Sequence, residues 1–153
     1  MTLPDTNRRV AQQTNEEVNR AIREQTRQNI CRYANASRGQ ITQRLAELDQ
    51  EWDVERLLEA NAATLALAGL FLGATTSRKW FVFPGVIAAF LLQHSLQGWC
   101  PPIPVFRRMG VRTSAEINEE RYALKALRGD FNAVASAPQG MSRVSQVMAA
   151  ARQ

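Results

Sequence analysis

Residues 57–99 read LLEANAATLALAGLFLGATTSRKWFVFPGVIAAFLLQHSLQGW, and this stretch decides the fold. Only Glu59, Arg78 and Lys79 carry formal charge in it, although the whole chain has 19 Lys and Arg and 14 Asp and Glu. A globular domain spreads its apolar residues periodically, so such segregation points to lipid as the solvent. Ser77-Arg78-Lys79 divide the stretch into two apolar segments, about 57–76 and about 80–99. Each approaches the roughly 20 residues that a helix needs to cross the hydrocarbon layer. So short a connection makes the two helices antiparallel.

The flanks fit that reading. Trp80 and Trp99 bracket the second segment and Trp52 precedes the first, which makes the three candidate interfacial anchors. The connecting loop carries two basic residues. Arg38, Arg44 and Arg56 flank one side of the pair, and Arg107, Arg108 and Arg112 the other. The positive-inside rule then puts both termini in the cytoplasm. The chain averages out as unremarkable, with 45% hydrophobic residues and a mean hydropathy of −0.30. Net charge is +5 with a pI near 10.0. No block interleaves basic and aromatic residues, so the excess suits topology and anionic lipid and no nucleic-acid partner is expected.

The expected class is all-α: a membrane-spanning two-helix hairpin between amphipathic N- and C-terminal helices. Three linear segments are expected. The first, 1–39, is polar, with a thin stripe of Val10, Val18, Ile22 and Ile30 within a helix from about Thr6 to Ala36, broken at Ser37-Arg38-Gly39. The second, 40–110, holds an amphipathic lead-in (Ile41, Leu45, Leu48, Trp52), the hairpin and a Pro-rich exit at 101–104. A straight helix from about residue 40 into the membrane and a bend near Glu51-Trp52-Asp53 are both open. The third, 111–153, starts a helix with a capping box of Thr113 and Glu116, ends it at Gly129, and adds a short helix carrying Met141, Val144, Val147 and Met148.

An antiparallel pair sets the start of the first helix level with the end of the second. Glu59, Asn61, Gln93, His94 and Gln97 are therefore expected as a polar cluster at the membrane interface, either hydrogen-bonding between helices or handling protons through His94. Ala62, Ala66, Gly69 and Gly73, with Gly85 and Ala89 on the second helix, are small enough for close packing within the hairpin or between copies. Cys100 is the candidate reactive thiol, expected to be exposed by the prolines that follow it. The first fifty residues contain no apolar run, so no signal sequence is expected and both Cys31 and Cys100 should be reduced. One His and two Cys give no metal-ligand spacing, and no catalytic residue, cofactor site or metal site is expected.

The apolar pair followed by Gly98-Trp99-Cys100-Pro101 resembles the YgaP-like transmembrane domain family, over roughly residues 53–110. Glu51-Trp52-Asp53-Val54-Glu55-Arg56 before it, and Arg121 to Phe131 after it, look like a stand-alone subgroup of that family. The resemblance implies a bacterial inner membrane and places Cys100 in the family motif. Some members carry a rhodanese domain that moves sulfane sulfur; the polar residues before the pair do not resemble one. The expected function is a non-enzymatic inner-membrane scaffold, a homo-oligomer or an accessory subunit partnered by lipid and other membrane subunits. The alternative is a sulfur-relay or anion-export module using Cys100.

Overall fold

The computed structural model describes Asp5 and residues 7–152; the expected helix start at Thr6 and the terminal residue lie outside the described residues. Among the described residues the chain is all helical, with no strand. In order the helices are α1 (Arg9–Gln12), α2 (Glu16–Arg32), α3 (Arg38–Gln50), α4 (Val54–Thr75), α5 (Val82–Gln97), α6 (Ile103–Arg108), α7 (Ser114–Arg128), α8 (Asn132–Ser136) and α9 (Met141–Arg152), with a 3₁₀ turn at Arg78–Phe81 before α5.

Two helical stretches, 38–75 and 78–97, are long and apolar enough to cross a membrane. The first is interrupted. Glu51 is extended (φ −67°, ψ 128°), and Asp53 caps α4 by accepting the Arg56 N–H at 2.8 Å. The Val54 N–H leaves the helical ladder to donate to the Arg112 carbonyl at 2.9 Å. The N-terminal polar segment also breaks, at residues 13–15, where Asn15 Oδ1 accepts the Glu17 N–H at 2.8 Å and starts α2. The break between α2 and α3 falls at residues 33–37 and ends at Ser37, which forms a capping box with Gln40, so Arg38 and Gly39 lie in the first turn of α3.

The described residues form two compact units, which cut across the linear segments 1–39, 40–110 and 111–153. One comprises Met1–Glu24 with Trp52–Ile117, the other Gln25–Glu51 with Asn118–Gln153.

In the first unit α4 and α5 pack antiparallel. A Cβ added to Gly73 would sit 2.7 Å from the Phe81 ring, and one added to Gly69 would sit 2.8 Å from Pro84 and 2.9 Å from Phe83. These glycines let the helices approach, so their face is filled within the chain. Ala62 is buried and Ala66 half-buried on the same helix. Gly85 and Ala89 instead lie exposed, with nothing within 4 Å of a Cβ added at Gly85. The outer sides of both helices are apolar: Leu67, Phe71, Val82 and Leu92 are each more than 60% exposed. At the other end Val10, Val54, Leu58, Cys100 and Ile103 close a small core, with Phe90, Leu91, Phe106 and Val111 against it.

In the second unit Ile41, Leu45, Leu48 and Leu124 are buried. The fully buried Glu120 accepts from Arg44 Nε at 2.9 Å and Asn29 Nδ2 at 3.2 Å. Arg121 pairs with Asp49, and Arg128 reaches both Asp130 and the Thr42 hydroxyl. The buried Glu120 and Asp130 carboxylates are thus matched by Arg44 and Arg128, as a low-dielectric interior requires.

Leucine at Gly73 should cost about 1–3 kcal/mol of stability by overpacking against Phe81, while leucine at Gly85 should cost almost nothing. Unfolding in a detergent titration checks this; equal losses at the two positions would contradict the faces described.

Candidate polar junction at the ends of the apolar helices

The C-terminus of α5 is shaped by Gly98, which is left-handed (φ 77°) and donates its N–H to the His94 carbonyl at 2.7 Å. A Cβ there would lie 2.6 Å from the Arg9 carbonyl carbon, so backbone conformation and close approach both demand glycine. This contact seats α1 on the end of α5. Arg9 Nη2 then lies 3.1 Å from Glu55 Oε1, and Glu55 Oε2 lies 2.6 Å from His94 Nε2. A carboxylate held between a guanidinium and an imidazole accepts from both, which assigns the ring proton to Nε2. His94 is 5% exposed, and its Nδ1 and Arg9 Nε are buried without a described partner.

Among the described residues no side-chain hydrogen bond or ion pair joins two members of the expected cluster. His94 is buried, Gln93 is half-buried, and Glu59, Asn61 and Gln97 are exposed. Asn61 turns back onto the Leu57 carbonyl at 3.3 Å. The carboxylate that meets His94 is Glu55, one turn earlier than Glu59. The register follows from the other end of the pair, where the 3₁₀ turn stacks Phe81 on Gly73 and Pro84 on Gly69. Glu55 and Glu59 lie four residues apart on one helix face, so both were eligible by position. Arg9 carried no such signal.

Cys100 also differs from expectation. It is 4% exposed, packed with Val10, Val54, Leu58 and Ile103. Burial pushes its thiol pKa up and disfavours the reactive thiolate. The prolines do not hold it in an extended exit: residues 101 and 102 turn, and Pro102 and Pro104 lie at the start of α6, where proline is favoured. On its other side Cys100 borders an apolar groove of about 440 Å³ between α4 and α5, lined by Leu65, Phe83, Ile87 and Phe90. Trp52 and Trp80 are exposed and Trp99 half-buried; the Arg56 guanidinium lies 4.5 Å over the Trp52 ring.

Beside this junction lies a buried cation. Arg107 is 1% exposed, and all five of its N–H groups are used. Nη1 and Nη2 each donate to Glu116 at 2.7 Å. Nη1 also reaches the Val111 carbonyl at 3.0 Å, Nη2 reaches Asn19 Oδ1 at 3.0 Å, and Nε reaches the Thr14 hydroxyl at 3.3 Å. Glu116 closes the expected capping box, accepting the Thr113 N–H at 2.8 Å. Burial works against its ionisation, but the hydrogen bonds from Arg107 and Thr113 outweigh this and hold its pKa below the ordinary carboxylate value. Among the described residues no three His, Cys, Asp or Glu side chains converge as a metal site. No family model matches the chain, nor does any curated protein or solved structure.

Arg107→Ala should cost about 3–5 kcal/mol, because it strands the Glu116 carboxylate. A carboxylate with a lowered native pKa contributes stability that is present above its unfolded pKa, about 4.3, and lost as pH falls through the native value. Acid unfolding of the wild type should therefore steepen below about pH 4.3, and Glu116→Gln should flatten that limb. An unchanged acid limb in the variant would contradict the pairing.

Cys100 should react with a charged, membrane-impermeant maleimide only when α1 lifts. In a Cys31→Ser background, Glu55→Gln should speed labelling by an order of magnitude, since losing one charge-assisted contact is worth about 1.5–3 kcal/mol. Labelling at the wild-type rate would show that the Arg9–Glu55–His94 chain does not hold α1 down.

Proposed function

We propose that this chain is a non-enzymatic membrane scaffold. In this reading α4 and α5 form a transmembrane hairpin, both termini lie in the cytoplasm, and the protein works as a homo-oligomer or as an accessory subunit of a larger inner-membrane complex. The observation that carries the reading is a division of labour within the first unit. Polar groups at the ends of α4 and α5 and beside them are held in internal pairs, Arg107 with Glu116 and Glu55 with Arg9 and His94. Its apolar side chains on α4 and α5 are turned outward. Water would penalise that outward face, whereas hydrocarbon does not. The exposed Gly85 and Ala89 leave α5 a small-residue face on which another helix can close. The resemblance of Gly98-Trp99-Cys100-Pro101 to YgaP-like domains supports the inner-membrane assignment. A sulfur relay asks for an accessible thiolate, and the burial of Cys100 weighs against it.

Native mass spectrometry of the protein, extracted in mild detergent from membranes without overexpression, tests the scaffold. A ladder of identical subunits or a fixed larger mass with other chains is expected. A lone subunit under every mild extraction would overturn it, and an added sulfur on that subunit would restore the relay.

A further inference from the structure

The turn between α4 and α5 carries charge that nothing in the chain answers. Arg78 and Lys79 are both exposed, and among the described residues no hydrogen bond or ion pair engages either side chain. No Asp or Glu occurs between Glu59 and Glu116. The last acid on α4 is Glu59 and the helix ends at Thr75, a rise of about 24 Å. That is about three screening lengths at physiological salt, so the positive charge of the turn stays uncompensated. Apolar side chains stand beside it. Trp80 is 43% exposed and Val82 69%. The Trp80 ring is held edge-on against Phe83, with centroids 6.3 Å apart.

Length sets where this mixed patch falls. α4 has 22 residues and rises about 33 Å, close to the roughly 30 Å thickness of the hydrocarbon layer. With the Asp53 cap at one boundary, the turn reaches the headgroup layer at the other, where tryptophan and cationic side chains both find partners.

Charge selects the partner. A second copy meeting the turn by two-fold symmetry would set like charges together and bring no acid. A purely acidic protein face would answer Arg78 and Lys79 but offers nothing to Trp80 and Val82. Anionic phospholipid supplies net negative headgroups for the cations and acyl chains for the apolar side chains. A zwitterionic headgroup carries its own cation and attracts them less.

We infer that the Arg78–Lys79–Trp80 turn is a contact site for anionic phospholipid in the leaflet opposite the termini. The two cations hold the headgroup phosphate, and Trp80 sits at the acyl boundary. The inference rests on the membrane reading above and adds a lipid class at a named turn. Each basic side chain near an anionic surface strengthens association roughly fivefold, so the pair predicts a preference of roughly 25-fold for anionic over zwitterionic lipid at low salt. Added salt screens the preference.

The test uses the full chain with Trp52→Phe and Trp99→Phe, which leaves Trp80 as the sole tryptophan. It is reconstituted in phosphatidylcholine vesicles doped with brominated phosphatidylglycerol or, at the same fraction, brominated phosphatidylcholine. Bromine quenches only a neighbouring tryptophan. The expected result is stronger quenching by the anionic lipid, lost at high salt and lost when Arg78→Gln and Lys79→Gln are combined. Equal quenching by both lipids overturns the inference and leaves the membrane reading standing, as does an anionic preference that survives in the double variant. Quenching by neither, in vesicles that hold the protein, overturns it in favour of a protein partner over the turn. A chain that does not float with the vesicles overturns both.

Discussion

A guanidinium excluded from water must spend every donor it has, and Arg107 does so on four partners from four places in the chain. Thr14 belongs to the elbow between α1 and α2, Asn19 to the first turn of α2, Val111 to the turn after α6, and Glu116 to the first turn of α7. An unpaired charge at such a position would cost several kcal/mol, so the arrangement tolerates little adjustment. The elbow at Thr14 in turn positions Val10 and Arg9 over the ends of α4 and α5. The arginine thus sets the geometry of a junction it does not touch.

The junction also depends on two close approaches at opposite ends of the apolar pair. Near the turn, Gly69 and Gly73 admit the rings of Phe83, Pro84 and Phe81; at the other end Gly98 admits the backbone of Arg9. Together they fix the register that carries His94 to Glu55. The polar chain Arg9–Glu55–His94 then closes a lid of one helical turn over Cys100, whose thiol becomes part of the packing.

The parts legible in the sequence were those written locally. Two uninterrupted apolar runs announce α4 and α5. The Thr113–Glu116 box and the Gly129 stop announce both ends of α7, and Ile41, Leu45 and Leu48 announce the buried side of α3. The interruption at Glu51–Asp53 was undecidable because no glycine or proline marks it; it is made by the Asp53 cap and by the Val54 N–H donating to the carbonyl of Arg112, 58 positions further along the chain. Choosing Glu55 over Glu59 required the register, which a 3₁₀ turn between the helices sets. The burial of Cys100 required α1, ninety positions upstream and joined by no local signal. The small residues were readable as packing positions, but which of them face the partner helix and which face outward was not.

The proposed function rests on a topology in which α4 and α5 would cross a bilayer, with the turn between them on the opposite side from Cys31. Labelling with an impermeant maleimide in intact cells reads this directly, comparing the exposed native Cys31 on α2 with Thr76→Cys at the exposed end of α4. The account predicts that Thr76→Cys labels from outside while Cys31 labels only after permeabilisation. Labelling of both positions from the same side would contradict it.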